Sequence, residues 1–364
     1  MSNPLVQMQQ LGQSPWHDNI RREQLTSGKL KKMIDAGDIT GLTSNPTIFE
    51  HAIKSGDYNG EIDQLAKGGK NADQIFDAIA VEDIRAAADL FKPVFERTGG
   101  EDGYVSIEVG PAFAHQTDAT VAEAKRLWKA VDRPNVMVKI PATLAGVPAI
   151  QQCIADGLNI NVTLIFSLER YEAVMNAYVA GLTQRLRAGQ EVKKTASVAS
   201  FFVSRVDTLV DKQLGEKNAA LHGKAAIANA KLAYRDFQKK FHGAPFAELK
   251  QAGARVQRPL WASTSTKNPA YPDVYYVEAL VGPESVDTMP PATIDAYRDH
   301  GKPEVRIDQD LAGAEQTMKK LAEAGIDMAK ATKQLEDEGV ASFGKSFDSL
   351  IATVEDRRKA ALGK

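Results

Sequence analysis

One cysteine among 364 residues, Cys153, cannot close a disulfide within the chain, so no disulfide framework holds this fold, and a reducing compartment fits. Long hydrophobic runs are missing too: no uninterrupted apolar stretch reaches membrane-spanning length. The first residues lack a basic segment followed by an apolar one. Charge of one sign is scarce. Charged residues make up 25% of the chain, yet the net charge is −2, which leaves no basic field for nucleic acid or an anionic membrane. There is no glycine-rich dinucleotide fingerprint, no P-loop, and no metal-ligand spacing among the six histidines. These absences leave a cytoplasmic protein whose partners are small molecules.

What the sequence does have is alternation. Short apolar runs alternate with longer amphipathic segments from end to end, as a parallel sheet with helical crossovers requires. Eight candidate strands fall at 15–19, 40–44, 104–109, 136–140, 159–163, 198–202, 259–263 and 274–281. Helical stripes fill the intervals, among them Val121, Lys125 and Trp128, and Tyr171, Val174, Met175 and Tyr178. The expected fold is one α/β domain over 1–364, a single (β/α)8 TIM barrel. Extra helices are expected in the region 46–103, broken at Gly68-Gly69 and Gly99-Gly100, and at the C-terminus. Two C-terminal stripes, one through Leu311 and Leu321 and one through Phe343 and Val354, are expected to pack on the barrel's outside. Whether the chain is a monomer or a homodimer is not legible, because barrel helices expose apolar residues in monomers as well.

In a parallel barrel the ligand site lies at the carboxyl ends of the strands. Lys139 sits inside the apolar run Val136-Met137-Val138-Lys139-Ile140-Pro141, which ends at the proline. An ammonium among apolar side chains is costly to keep charged, so such a lysine can serve as a neutral amine that attacks a ketone and forms a Schiff base. The bland reading is a strand-end cation whose stem covers apolar surface while its head reaches water. Glu108 alternates with apolar neighbours and either faces solvent or, on a strand covered by helices, becomes a candidate acid or base. Asn161 and Thr163, two apart, share one side of their strand. Asp18 either joins the site or caps the next helix. Asn45, before Pro46, suits a helix start. Arg205 and Lys267, with nearby hydroxyls, can hold a phosphate after late strands, or can be surface cations. Cys153 falls in a crossover-helix pattern and is read as packing.

Together these segments resemble the transaldolase family. Gly41-Leu42-Thr43-Ser44-Asn45-Pro46-Thr47-Ile48-Phe49 is similar to its first signature, and Val136 to Thr143 to its Schiff-base lysine segment. Gly157 to Ser167 resembles its Asn-x-Thr strand, and Ser200-Phe201-Phe202-Val203-Ser204-Arg205 its phosphate-side strand. The resemblance implies a (β/α)8 barrel and a cofactor-free, metal-free transfer of a dihydroxyacetone unit in the pentose phosphate pathway. The implied partners are sedoheptulose 7-phosphate, fructose 6-phosphate, glyceraldehyde 3-phosphate and erythrose 4-phosphate. By resemblance, Lys139 forms the imine and Glu108 shuttles protons through a water held by Thr163. Asp18 takes the C4 hydroxyl proton, and Asn45 and Asn161 hold substrate hydroxyls. Ser200, Phe202, Arg205, Ser265 and Lys267 bind the substrate tail. Many family members have arginine where this chain has Lys267, and lysine binds phosphate as a point charge without the guanidinium fork. Two alternatives stand beside this reading: a fructose 6-phosphate aldolase that releases free dihydroxyacetone, and a sugar-phosphate-binding barrel without catalysis.

Overall fold

The computed structural model describes residues 3–363. Eight parallel strands close into a barrel in sequence order: β1 (Gln13–Asp18), β2 (Gly41–Thr43), β3 (Val105–Glu108), β4 (Val136–Pro141), β5 (Ile160–Ile165), β6 (Ser197–Phe202), β7 (Arg258–Ala262) and β8 (Ser285–Met289). β8 pairs back onto β1 and completes the ring. Both faces of each strand must be covered, one by the barrel interior and the other by helices, so the strands read as continuous apolar runs. β4 and β5 are buried at every position. The TIM barrel expected from the alternation is the fold observed.

Register decides which side chains enter the barrel. Glu108 pairs with Lys139, and Lys139 with Asn161. Partners in a ladder project to the same face, so three polar groups on successive strands meet inside. β5 then shifts register between Val162 and Ile165, where Leu164 takes φ +59°. This irregularity directly follows Thr163, and such extra residues re-aim side chains beside active sites.

The eighth strand is a correction. The run 274–281, rich in aromatic and β-branched residues, holds a short helix, Tyr275–Ala279, and the strand lies later, at Ser285–Met289. Its polar residues hid it. Each is buried because it has a partner: Ser285 bonds Gln13, Asp287 accepts from Thr264, and Thr288 meets Thr43.

Between β2 and β3 the helices Pro46–Lys54, Asn59–Lys67 and Ala72–Arg97 form the expected insertion. The last begins with a capping box in which Asn71 and Gln74 satisfy each other's backbone N–H. The C-terminal stripes are helices Leu311–Glu323 and Met328–Ala361. The second departs from the expected outer packing. It runs over the insertion helices and brings Phe343 to the barrel mouth, while Gly339 approaches so close that a Cβ there would lie 2.9 Å from Leu164. Among the described residues no helix is long and apolar enough to cross a membrane.

Candidate active site

A cavity of about 400 Å³ opens at the carboxyl end of the barrel. Its walls include Asp18, Asn45, Lys139, Thr163, Ser200, Phe202, Arg205, Ser265 and Lys267. Six of the eight strands or the loops directly after them supply these groups, as the geometry of a parallel barrel directs. Glu108 and Asn161 do not line this cavity; Glu108 lines an adjoining one of about 480 Å³ together with Ser44 and Asn45.

Lys139 Nζ lies 3.0 Å from Glu108 Oε2 and donates to the Ser44 carbonyl at 2.8 Å. The solvent-facing readings of both residues therefore give way: their side chains are only 6% and 7% exposed. Nor is the lysine surrounded by apolar groups alone, since a carboxylate and a carbonyl meet its head. Burial pushes the Glu108 carboxyl above its ordinary range, against the pull of Lys139. A carboxylate with raised proton affinity beside an amine is suited to take and return a proton. Thr163 Oγ1 is buried at the cavity wall and has no hydrogen-bond partner among the described residues, so its hydrogen-bonding capacity is available to what enters the cavity.

Asp18 closes the opposite side. It ends β1 and does not cap the next helix, Arg22–Thr26, whose N-cap is Arg21. Thr43 donates to its Oδ1 at 2.7 Å, and the Thr43 and Thr288 hydroxyls are 2.7 Å apart. With the Thr43 proton directed at Asp18, Thr288 must be the donor in the second bond. Burial raises the Asp18 carboxyl from its usual value, opposed by Lys139 and Thr43.

Asn161 sits one level below the cavity. Its amide donates to Ser106 Oγ at 3.0 Å and its oxygen accepts from Ser200 at 2.7 Å. Asn45 does double duty: it lines the mouth and caps the helix Pro46–Lys54 by accepting from the Ile48 N–H at 3.0 Å. The polar far end is cationic. Arg205 stacks over Phe202 at 5.3 Å, and Lys267 donates to Ser265 at 2.8 Å. Burial pulls both cations below their usual values, and Arg205 adds to the effect on Lys267. Cys153 is buried in the crossover helix Gly146–Ala155, away from the site, and burial pushes its thiol up to about 12.

Four contributors escaped the sequence reading. Ser106 stands two residues before Glu108, so the period of two could have found it. Thr43 was visible only as part of a helix-start motif. Thr288 lies in the strand that was misplaced. Phe343 comes from the C-terminal helix Met328–Ala361, far from the strands in sequence, and no local signal marks it.

This arrangement defines a class: a closed parallel barrel with a buried lysine, two buried carboxylates and a cationic end around the mouth formed by the carboxyl ends of its strands. The profile of the Transaldolase/Fructose-6-phosphate aldolase family matches residues 15–354, and the chain belongs to that family. A protein named transaldolase from Thermobifida fusca is 49% identical, with 99% of this chain and 100% of the relative aligned. Relatives of the same name from a Parafrankia species and from Mycolicibacterium smegmatis are 47% and 46% identical, again over 99% of this chain and at least 99% of theirs.

Proposed function

We infer that this chain is a transaldolase acting on sugar phosphates, moving a dihydroxyacetone unit from sedoheptulose 7-phosphate to glyceraldehyde 3-phosphate to give erythrose 4-phosphate and fructose 6-phosphate. The observation that carries the reading is the Glu108–Lys139 pair, 3.0 Å apart beside the unpartnered Thr163 hydroxyl. Glu108 takes the proton of Lys139, and the free amine attacks the C2 ketone. The resulting carbinolamine loses its hydroxyl as water, with the proton returned from Glu108 through a water held by Thr163, and an iminium forms.

Asp18 then takes the C4 hydroxyl proton. The C3–C4 bond breaks, its electron pair moves into the iminium to form an enamine, and the aldose leaves. The acceptor aldehyde captures the enamine carbon while Asp18 protonates the new hydroxyl. Water hydrolyses the final imine and restores Lys139. Asn45, within the cavity wall, is suited to hold the hydroxyls of the bound fragment. Asn161 spends one N–H on Ser106 and one lone pair on Ser200, which aligns that polar floor and leaves its second N–H for a hydroxyl of the bound fragment. Arg205 and Lys267, with Ser265, form the phosphate end. A place in the pentose phosphate pathway and a cytoplasmic location follow from these substrates.

Incubation with fructose 6-phosphate, with and without erythrose 4-phosphate, tests the transfer. Sedoheptulose 7-phosphate should form only when the acceptor is present. Rapid release of free dihydroxyacetone without acceptor would make the chain an aldolase instead.

A further inference from the structure

Arg205 and Lys267 approach the same end of the cavity although like charges repel, and both are partly withdrawn from water. Arg205 is fixed at the start of the helix Ser204–Leu214. Lys267 rides on an exposed loop between β7 and the helix Tyr275–Ala279. The Asp18 carboxylate attracts both cations, but it belongs to β1 and does not fix the position of the loop that carries Lys267.

The loop is tied at both ends. At its start Thr264 donates to the buried Asp287 at 2.8 Å. At its far end Tyr271 OH donates to Asp211 Oδ2 at 2.9 Å, and Tyr276 OH to Asp207 Oδ2 at 2.9 Å. Asp207 and Asp211 are four residues apart, so they lie on one face of the helix that begins beside Arg205. Asp211 also accepts from the Gly223 N–H at 3.0 and 3.2 Å, while Tyr275 donates to the Gly223 carbonyl at 3.0 Å. Gly223 has φ +70°, and a Cβ there would lie 2.8 Å from the Tyr271 ring. Only glycine lets the phenol reach the carboxylate at this point. Within the loop, Thr266 donates to the carbonyl of Pro272 at 2.8 Å, which couples the tie to the residues flanking Lys267.

We propose that Asp211, through Tyr271, is a positioning residue for phosphate recognition: it latches the loop carrying Ser265 and Lys267 to the helix carrying Arg205, so that both cations face one anion. The latch touches no reacting atom. It rests on the transaldolase reading only in taking the cationic end as the seat of the substrate phosphate.

Three variants test it: Tyr271→Phe, which keeps the ring, Asp211→Ala, and the conservative Asp211→Asn, with Lys267→Ala as reference. Inorganic phosphate binding is titrated by calorimetry. Imine trapping by borohydride is then followed as a function of fructose 6-phosphate and of unphosphorylated fructose. Tyr271→Phe should weaken phosphate binding about three- to tenfold, the scale of one charge-assisted hydrogen bond transmitted through a loop. The fructose 6-phosphate concentration for half-maximal trapping should rise by the same factor. The maximal trapping rate and the response to fructose should stay unchanged, and Asp211→Asn should recover part of the loss seen in Asp211→Ala. Equal losses with both sugars, or unchanged phosphate affinity in Tyr271→Phe, would overturn the proposal. If the parent protein forms no adduct with either sugar, the imine reading fails, and the phosphate titrations still decide the latch.

Discussion

Glu108 Oε2 and Lys139 Nζ face each other at 3.0 Å from paired positions of β3 and β4, with the amine also held by the Ser44 carbonyl. Neither charge stands alone, and each answers the desolvation of the other. In the proposed reaction, proton exchange across this pair is what frees the nucleophile.

Replacing Glu108 by Gln keeps the shape and removes the exchangeable charge. Turnover should fall about 10²- to 10⁴-fold, the usual contribution of a positioned acid or base, while inorganic phosphate still binds. Steady-state kinetics with a phosphate titration checks this. A folded variant with near-normal turnover would mean that Glu108 is structural.

The carboxyls of Asp18 and Glu108 are both raised by burial. Asp18 must be ionised to accept the C4 proton, so kcat/KM should fall as pH drops through a value above the ordinary aspartate range. Thr43 donates to the ionised form. Thr43→Val removes that donor, raises the carboxyl further, and should move the acid limb of the pH profile to higher pH. A limb that stays put, or moves down, contradicts this role for Thr43.

His17, beside Asp18 in β1 but fully buried, has its pKa lowered to about 4 by burial. Gln24 and Asp295 oppose that shift and Lys29 adds to it. The unfolded chain takes up a proton near the ordinary value of about 6.5 and the folded chain does not. Stability is thus fully present above that pH and is lost as pH falls toward 4, by about 3 kcal/mol at most. Melting temperatures of the parent and His17→Gln across this window should show a shallower slope for the variant. Parallel slopes would assign the acid sensitivity elsewhere.

Much of this site was legible in the sequence because barrel strands are short, apolar and covered on both sides. A lysine or a glutamate inside such a run stands out, as Lys139 and Glu108 did, and register then follows from the fold. Ser285–Met289 was not legible, because its polar residues depend on partners far away in sequence, such as Gln13 and Thr43. The aromatic run just before it imitates a strand better than the strand itself. Phe343 reaches the mouth through packing of a long helix, which periodicity predicts without its destination.

Gly41 makes a different kind of test, at the entry to β2. A Cβ there would stand 2.5 Å from the Trp16 indole, whose N–H is fixed by Asp102 at 2.8 Å. Gly41→Ala should therefore destabilise the barrel by about 1–3 kcal/mol through overpacking. An unchanged urea midpoint would show that Trp16 can yield.

Lys139 is the proposed imine-forming residue, and borohydride reduction in the presence of fructose 6-phosphate tests this directly. A stable sugar-phosphate mass adduct is expected on the peptide containing Lys139, absent without sugar and absent in Lys139→Met. A folded parent protein that carries no adduct on Lys139, or carries it on another lysine, would overturn the imine reading.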